Sequence, residues 1–449
     1  GYAFANVTPL FKRDTPNRMV AITLDVEKGK KVYVERIEIS GNAATDDKVA
    51  RREMRQAEGA RFAASRVKRS KERLKRLSLF KDVQVTMPRG NAPDRVKMKV
   101  KLTEDKTGKF TFGIGFSQLE RAFLTTSLQQ KNFLGKGIDT AIDATIGGRT
   151  QNYNVSVTDP YFLDREMSAT FNTFKTQTKL NTITLYRQND IGAGVNLGIP
   201  LTESTGYSVG YRFSKTNLSN IPLTASLILQ SQAGRHTLGE LSQSLYYDTR
   251  DRTISAHSGQ HASVGVSVAG VGGSRRFIEF SAKERAFFSL GETMVLSPQL
   301  EGRYVQGYGG RDVPLERRYS MGGVGSLRGF DTFGVSLRDT NTGDPVGGNG
   351  MVRSAIDLFF PLPGVRTEGF RGVLFTEAGT VWGSVNSTFN GRSTSVRQRF
   401  SLSTLRASAG FGVEWLSPIG PVGLIWARTL RRQPGDLTRG FEFSLGSAF

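Results

Sequence analysis

Apolar residues alternate with small or polar residues over most of the chain beyond Lys109. In the stretch 110–117, Phe or Ile occupies every second position, and the residues between them are Thr, Gly, Gly and Ser. Side chains of an extended strand point alternately to its two faces, so this pattern predicts a strand with one apolar face. The same alternation recurs at 195–199, 207–213 and 264–268, and it returns in the final ten residues.

The second face of these strands distinguishes a soluble sheet from a barrel. Gly, Ser, Thr and Asn dominate this face, whereas a soluble sandwich would expose Lys and Glu there. Small and polar side chains suit a wet or loop-filled lumen, so the pattern predicts an all-β membrane protein, an antiparallel transmembrane β-barrel. The residues after 106 would provide roughly 14 to 18 strands of about 9–11 residues with their turns, and the number should be even.

Closure of such a barrel requires the first strand, 109–117, to pair with the last, 440–449. Both strands combine apolar side chains with glycines, and glycine contributes no side chain to strand packing. We therefore expect a weak lateral seam between them. Its predicted residues are Phe110, Phe112, Gly113 and Gly115 on the first strand, and Gly440, Phe441, Phe443, Leu445, Gly446 and Phe449 on the last.

A stretch with both helical and strand patterns precedes the barrel. Residues 32–39 alternate as a strand, a helix follows from a Thr45 or Asp46 cap to about Gln56, and a second helix runs from about Ala64 to Leu77. Two further strands, 83–85 and 95–102, complete a β-α-α-β-β order. We predict an α+β domain at 30–106, the barrel at 107–449 and the end of a preceding domain at 1–29, and we expect the natural chain to begin before residue 1.

Composition and charge narrow the possible partners. The chain has no cysteine, which excludes disulfides and thiolate chemistry, and its mean hydropathy is −0.31 with no apolar stretch long enough for a membrane helix. The net charge is +21, and 30–106 alone holds 22 Lys and Arg against 11 Asp and Glu. No zinc finger, RNP motif or basic-aromatic ladder accompanies this charge. We therefore expect it to face an anionic membrane surface and expect no nucleic acid.

Strings that resemble enzyme motifs lack the context that their chemistry requires. Residues 206–210 fit the G-x-S-x-G pattern, but they lie inside an alternating strand instead of a strand-to-helix turn. His257 and His261 have no third ligand nearby, and the glycines at 323–325 lack the rest of a dinucleotide fingerprint. The sequence therefore predicts no enzyme, no catalytic residue, no metal site and no cofactor.

One arginine occupies an unusual position. Arg328 lies in a glycine-rich stretch, 321–330, whereas loops usually leave their cations in water. Two carboxylates follow on predicted strands, Asp357 and Glu377, and the shared parity of Asp357 and Ala355 directs Asp357 into the lumen. A carboxylate there would form a charge-assisted pair with the arginine and fix the loop. On spacing alone, three separate solvated charges are an equally good interpretation.

Leu327-Arg328-Gly329-Phe330 resembles the V-R-G-F/Y motif of the BamA family of outer-membrane protein assembly factors, within the superfamily of POTRA-plus-barrel insertases and transporters. In that family the motif is on the sixth extracellular loop, which folds back into the barrel, and its arginine contacts acids at the places of Asp357 and Glu377. This chain departs from the family pattern in two ways. Leu327 stands where the family usually has Val, and at each of the two acidic positions this chain has the other carboxylic acid, Asp or Glu, from the one expected there. Further stretches resemble the family at 39–42, 51–56, 58–59, 71–77, 158–162 and 415–421, and 1–29 resembles the end of a preceding POTRA domain.

The resemblance implies a barrel of about 16 strands in a bacterial outer membrane, with a POTRA domain in the periplasm. It implies insertion of unfolded outer-membrane barrel proteins without ATP or cofactor, with accessory lipoproteins and outer-membrane lipid as further partners. POTRA strands would accept client segments by edge addition, and the weak seam would open laterally to offer an edge. Two alternatives are a two-partner secretion transporter of the same superfamily and a passive porin, against which the basic α+β domain argues.

Overall fold

The fold consists of two units. A computed structural model describes residues 6–14, 19–27, 31–117, 120–179, 186–253, 255–362, 369–417 and 420–445. One unit comprises 1–109 together with 129–140, and the other comprises 110–128 together with 141–449. Among the described residues, no helix is both long and apolar enough to cross a membrane.

The first unit contains two small sheets and two helices. Its elements are β1 (Asn6–Asp14), β2 (Met19–Glu27), β3 (Tyr33–Ser40), α1 (Asp47–Arg51), α2 (Ala64–Arg76), β4 (Phe80–Thr86) and β5 (Arg95–Glu104). β1 and β2 form an antiparallel pair. The second sheet has the order β3-β5-β4, in which β3 is parallel and β4 antiparallel to β5. From β3 onward the elements follow the predicted β-α-α-β-β order.

A single apolar core joins the three-stranded sheet to both helices. Leu74 on α2 is fully buried, and Val67 and Leu77 pack partly buried against the same core. These three positions form an apolar stripe on the side of the helix that packs against the sheet.

The first helix is shorter than predicted. It ends at Arg51, so the prediction that it continues to about Gln56 was wrong. The buried side chain of Gln56 donates to the carbonyl of Arg61 at 3.2 Å and accepts the N–H of Ala63 at 3.1 Å. Because this amide replaces main-chain partners in the turn before α2, the backbone can leave the helix early without losing its hydrogen bonds.

The stretch 129–140 belongs to the first unit although it follows the first barrel strand in the sequence. The buried side chain of Asn132 donates to the hydroxyl of Thr45 at 2.8 Å. The N–H of Asp46 donates to the carbonyl of Gly135 at 2.9 Å. Nothing in the sequence pattern indicated that this stretch would pack beside α1.

The second unit is a closed antiparallel barrel with sixteen strands in its wall. Its strands are β6 (Gly108–Ser117), β7 (Arg121–Phe133), β8 (Ile138–Gly147), β9 (Thr150–Asp159), β10 (Ser168–Thr178), β11 (Arg187–Pro200), β12 (Thr205–Ser219), β13 (Gly234–Asp248), β14 (Gly259–Ala269), β15 (Phe277–Leu290), β16 (Met294–Gly307), β17 (Gly350–Phe360), β18 (Phe370–Phe389), β19 (Arg392–Gln398), β20 (Arg406–Ser417), β21 (Gly420–Arg431) and β22 (Phe441–Leu445). β19 is outside the wall, because it pairs with 383–389 of the long strand β18. The predicted fold class, a transmembrane β-barrel preceded by a small α+β domain, is confirmed.

The two faces of the wall follow the predicted alternation. On β6, Phe110, Phe112 and Ile114 are each more than half exposed on the outward face. On β17, Asp357 is buried on the lumen face, whereas the neighbouring Ile356 is exposed outward. Side chains of alternate parity therefore separate an apolar exterior from a polar lumen.

Most of the connection 308–349 between β16 and β17 lies inside the barrel, whereas 308–312 and 340–343 are exposed; the connection is called the lumen loop below. Its apolar side chains, including Met321, Leu327 and Phe330, are buried and pack with a helix from another connection and with β17 and β18. That helix is α3 (Leu227–Gln230), between β12 and β13. Short 3₁₀ turns cover Phe162–Asp164, Leu315–Arg317 and Leu402–Thr404.

Candidate functional site: the lumen loop and the closing strands

Two carboxylates hold Arg328 inside the barrel. Its Nε donates to Oε1 of Glu377 at 2.9 Å, and its Nη2 lies 2.8 Å from the same oxygen. Nη2 also donates to Oδ1 of Asp357. The backbone N–H of Arg328 donates to Oε2 of Glu377 at 2.6 Å, so this carboxylate binds both the main chain and the side chain of the loop. The guanidinium carbon lies 3.7 Å from the centre of the Phe375 ring.

These charged side chains are shielded from solvent. The exposed fraction is 9% for the side chain of Arg328, 7% for Asp357 and 0% for Glu377. Burial alone would lower the pKa of Arg328, but the carboxylates of Glu377 and Asp357 outweigh it and raise this pKa above its ordinary value. The guanidinium is therefore charged, and it bonds its partners where water competes little.

Two arginines that the sequence analysis missed complete the ionic cluster. Nη2 of Arg353 on β17 donates to Oε1 of Glu377 at 2.7 Å, and Nη2 of Arg285 on β15 lies 3.4 Å from Oδ2 of Asp357. Each carboxylate thus has a wall arginine besides Arg328. A signal for Arg353 was available, because it lies four residues before Asp357 on one strand and therefore on the same face. Arg285 required knowledge of how the strands are aligned.

The residues beside Arg328 explain how the loop reaches the wall. Leu327 and Phe330 have no exposed surface and belong to the apolar core of the loop. Gly329 has a φ of +87°, and a Cβ there would lie 3.1 Å from Cβ of Ser408 and 3.3 Å from Cβ of Ala427. Glycine alone has neither a side chain to clash nor a penalty for this backbone conformation. It therefore permits the loop to approach β20 and β21 closely.

A second ionic anchor fixes the beginning of the lumen loop. Arg317 contacts the carboxylates of Glu240 on β13 and Glu279 on β15, the latter at 3.4 Å. The hydroxyl of Tyr319 donates to Oε1 of Glu279 at 2.8 Å. The sequence analysis did not single out these residues, although two carboxylates on the polar face of barrel strands were a usable signal. Ionic side chains thus tie the lumen loop to the wall at Arg317 as well as at Arg328.

β22 and β6 are antiparallel neighbours and close the barrel. Within the described residues, Ser444 pairs with Ser117 and Leu445 pairs with Phe116. By comparison, β11 and β12 pair at 14 positions. The predicted seam residues Gly446 and Phe449 lie outside the described residues, so nothing is said of any pairing that they make.

The other predicted seam residues lie on β6 and on or next to β22. A Cβ at Gly115 would lie 2.7 Å from the carbonyl oxygen of Leu445, so glycine allows β6 to approach β22. Gly440 precedes β22, and its carbonyl accepts the N–H of Ala427 at 2.9 Å. Gly113 lies two residues before Gly115 on the same strand. The predicted seam residues of outward parity are Phe110, Phe112, Phe441, Phe443 and Leu445.

Aromatic rings line the outer face of the last three strands. The ring centre of Phe441 on β22 lies 5.2 Å from that of Trp426 on β21, which in turn lies 5.3 Å from that of Phe411 on β20. Across the junction with β6, the rings of Phe443 and Phe116 are 6.1 Å apart. Such ring pairs add to strand pairing, and this row joins β22 firmly to β21.

The string that fits the G-x-S-x-G pattern lies inside a strand. Residues 206–210 belong to β12, which continues to Ser219, so they do not form a strand-to-helix turn. In the part of the chain that the structure describes, no three His, Cys, Asp or Glu side chains are grouped so as to hold a metal ion.

Two family models match this chain. The family model of the Omp85 superfamily domain matches residues 132–449, well over half of the chain. The chain belongs to the Omp85 superfamily. A second model, for the POTRA domain described as a surface antigen variable number repeat, matches residues 32–105. Both models fall where the structure has a barrel and a small α+β fold.

Relatives and solved structures of this superfamily confirm the resemblance to BamA. The outer membrane protein assembly factor BamA of Neisseria meningitidis is 29% identical over 100% of this chain. The sorting and assembly machinery component 50 homolog A of Xenopus laevis is 24% identical over 95% of this chain and 92% of its own length. The crystal structure of BamA from Haemophilus ducreyi lacking POTRA domains 1–3 has a TM-score of 0.83 and 27% identity, covering 100% of this chain and 90% of that one.

The chain spans only part of the length of its curated bacterial relatives. It covers 60% of the length of the Neisseria factor and 55% of that of the BamA from Nitratidesulfovibrio vulgaris, which is 27% identical to it. The shared part is the barrel with the α+β domain next to it in sequence.

Proposed function

We propose that this chain assembles β-barrel proteins into the outer membrane of a Gram-negative bacterium, with its POTRA domain in the periplasm. Similarity over the whole chain to factors named for outer-membrane protein assembly supports the proposal. The observation that carries it is the closing pair, β6 and β22, whose described residues pair at two positions. A barrel closed in this way can offer a strand edge to another chain.

The energetics of the membrane explain why the closing pair must be both formed and separable. A strand edge exposed to lipid leaves unsatisfied N–H and C=O groups, each of which costs several kcal/mol. When the closing pair parts, an incoming client strand would replace the hydrogen bonds that are lost. The row of Phe411, Trp426 and Phe441 holds β22 on β21, so β6 is the strand that would be freed.

The α+β domain suits delivery of the client. Its sheet order, β3-β5-β4, places β4 at an edge where an extended segment could add by main-chain hydrogen bonds, whereas the beginning of β3 already bonds to 59–62. Its excess of Lys and Arg suits anionic lipid head groups and acidic surfaces of accessory lipoproteins. The proposed partners are therefore unfolded outer-membrane barrel proteins, accessory lipoproteins and lipid, and no cofactor or ATP is required.

A pair of engineered cysteines tests the role of the closing strands. Ser117→Cys with Ser444→Cys places two thiols directly opposite each other on the lumen face, and the chain has no native cysteine to interfere. Ser208→Cys with Ser244→Cys is the matched control, because these serines are also opposite each other, with hydroxyls 2.8 Å apart, on β12 and β13. Each oxidised barrel is reconstituted in vesicles of outer-membrane lipid with an unfolded barrel client.

We expect the disulfide between β6 and β22 to block client insertion and reduction to restore it, while the control disulfide leaves insertion unchanged. Insertion at the unmodified rate through the locked junction would exclude lateral opening as the mechanism. Single-channel recording separates the alternatives. A stable, large conductance would favour a porin, and export of a soluble partner without client insertion would favour a secretion transporter.

A further inference from the structure

A groove with a volume of about 870 Å³ lies on the outer face of the barrel wall, across β14 to β17. Glu279 and Arg285 on β15 bind partners in the lumen, so Ala282, which has the opposite parity, faces outward. Residues directly opposite one another in a sheet share a face. The row of opposite residues that includes Ala282 and lines the groove is Val264, Ala282, Gly302 and Val352.

Small residues form the floor of this groove, and aromatic side chains form one of its walls. A Cβ at Gly302 would have no atom within 4 Å, so the space above this glycine is open. Phe280 and Tyr304 lie opposite each other in the next row of the same face, and both are exposed. Trp382 on β18 also lines the groove. The groove therefore has the lining to hold a hydrocarbon chain, whose atoms would gain contacts that the open floor lacks.

A carboxylate lies beside this groove on the same face. Glu284 is two residues from Ala282 on β15, and its side chain is exposed. The residues opposite it on the neighbouring strands are Ala262 and Leu300, neither of which carries a polar side chain. Its carboxylate forms no hydrogen bond or ion pair with any residue that the structure describes. The wall therefore presents an acidic group that it does not itself satisfy.

Glu284 lies within the apolar band of the wall. Phe280 and Phe288 lie four residues before and after it on the same face, and both are exposed. A charged side chain on the lipid face of a barrel is destabilising, and an ionisable residue inside a membrane marks a functional site. An ionised carboxylate only accepts hydrogen bonds. A partner from the membrane must therefore bring hydrogen-bond donors and, for charge complementarity, a positive charge.

We propose that the groove and Glu284 together bind one phospholipid whose head group carries a primary ammonium. An acyl chain lies over Ala282 and Gly302, and the ammonium donates to the carboxylate of Glu284. Local thinning of the bilayer brings a head group to a charge inside the apolar band. Neither strand of the closing pair, β6 or β22, contributes to this site. The proposal is therefore independent of whether the barrel inserts clients.

Quenching of tryptophan fluorescence by lipids with brominated acyl chains tests the site, because bromine quenches only at close range. The full chain has three tryptophans, and Trp415→Phe with Trp426→Phe leaves Trp382 in the groove as the reporter. The barrel is placed in vesicles that mix phosphatidylethanolamine and phosphatidylcholine in varied proportions, with one or the other lipid brominated. The two lipids have the same net charge, but only phosphatidylethanolamine has N–H donors on its head-group nitrogen.

The matched control for the reporter is a barrel that keeps Trp426 alone, since Trp426 lies in the outer aromatic row of β20 to β22. We expect phosphatidylethanolamine to be preferred about threefold or more at Trp382, because charge-assisted hydrogen bonds are the strong ones. At Trp426 we expect no preference. Glu284→Gln should abolish the preference at Trp382, because the amide carries no charge to attract the ammonium.

A second pair of variants tests the groove itself. Gly302→Leu should reduce quenching of Trp382 by both lipids by about half, because the added side chain occupies the space of the acyl chain. Ala193→Leu is the matched control, since Ala193 lies between the exposed Ile191 and Val195 on β11, outside the groove. It should leave the quenching of Trp382 unchanged.

Three results would overturn the proposal. Equal association of the two lipids at Trp382 in the parent barrel would show that no ammonium is recognised. A preference that survives Glu284→Gln would show that the carboxylate does not contact the head group. Unchanged quenching after Gly302→Leu would show that no acyl chain occupies the groove. If Gly302→Leu does not fold, Ala282→Val narrows the same floor and decides by the same criterion.

Discussion

The ionic cluster around Arg328 allows a quantitative prediction about barrel stability. Three substitutions perturb it in different ways: Arg328→Ala removes the shared cation, Glu377→Gln removes the more deeply buried carboxylate, and the double variant removes both. Glu377 binds the guanidinium groups of Arg328 and Arg353, and its side chain has no exposed surface. The three variants therefore differ in how many buried charges they leave without a partner.

The magnitudes follow from these partners. Breaking a buried ion pair by removing one member costs about 3–5 kcal/mol, because the remaining charge is left uncompensated. After Arg328→Ala, Glu377 still has Arg353 at 2.7 Å and Asp357 still has Arg285 at 3.4 Å, so we expect a loss of about 3 kcal/mol. After Glu377→Gln, Arg353 loses its carboxylate and Arg328 keeps only Asp357, which it shares with Arg285, so we expect a loss of about 5 kcal/mol.

The free energy of unfolding is measured by urea titration of the barrel in lipid vesicles, with the heat-dependent gel mobility of folded barrels as a second measure. Arg252→Ala is the control, because Nε of Arg252 lies 4.0 Å from Oδ2 of Asp251 with side chains 68% and 33% exposed, and such pairs contribute about 0–1 kcal/mol. In the double-variant cycle we expect a coupling energy of about 2 kcal/mol. If the two losses are additive, or if Arg328→Ala costs no more than Arg252→Ala, the argument is refuted.

Two further predictions concern the loop and the α+β domain. Gly329→Ala should lower the unfolding temperature of the barrel more than Gly325→Ala does. Both glycines have positive φ, but of the two only Gly329 has atoms near the added Cβ. Equal effects of the two substitutions would show that close packing at 329 is not required. Residues 30–106 expressed alone should be soluble and should give a mixed α/β circular dichroism spectrum. Gln56→Leu should reduce the free energy of unfolding of this fragment by about 1–3 kcal/mol, since the backbone groups that hydrogen-bond to Gln56 lose their partner. An unfolded spectrum of the fragment would contradict the predicted boundary.

Period-two alternation accounts for what the sequence could predict about the barrel. It identifies strands and assigns each residue to a face, which is how Asp357 could be placed in the lumen. It does not determine the alignment between neighbouring strands. For that reason the choice between Asp357 and Glu377 as the partner of Arg328 stayed open, and the structure places Arg328 against both.

The same limit explains the residues that were missed. Arg285 reaches Asp357 from β15, and only β16 lies between their strands, a relation that no local pattern expresses. The N–H of Asp331 in the lumen loop donates to the carbonyl of Leu437, and the N–H of Arg439 donates to the carbonyl of Gly329. This pairing of the loop with 437–439 joins distant segments through main-chain groups, which leave no mark on the sequence. The early end of α1 has a different cause, because the side chain of Gln56 overrides a local helical pattern by binding the backbone beyond it.

The position of the lumen loop also has a consequence for the order of folding. The carboxylates that bind Arg328 come 29 and 49 residues later in the chain, and the hydroxyl that binds Gly329 comes 100 residues later. Contacts between such distant residues form late, because the intervening chain must first be ordered. Until β17, β18 and the last hairpin exist, Arg328 remains hydrated and the loop has nothing to dock against. Docking of the loop therefore marks the completion of the chain's own barrel, and a chain that stops before its last hairpin would leave the lumen loop without its main-chain partners at 437–439.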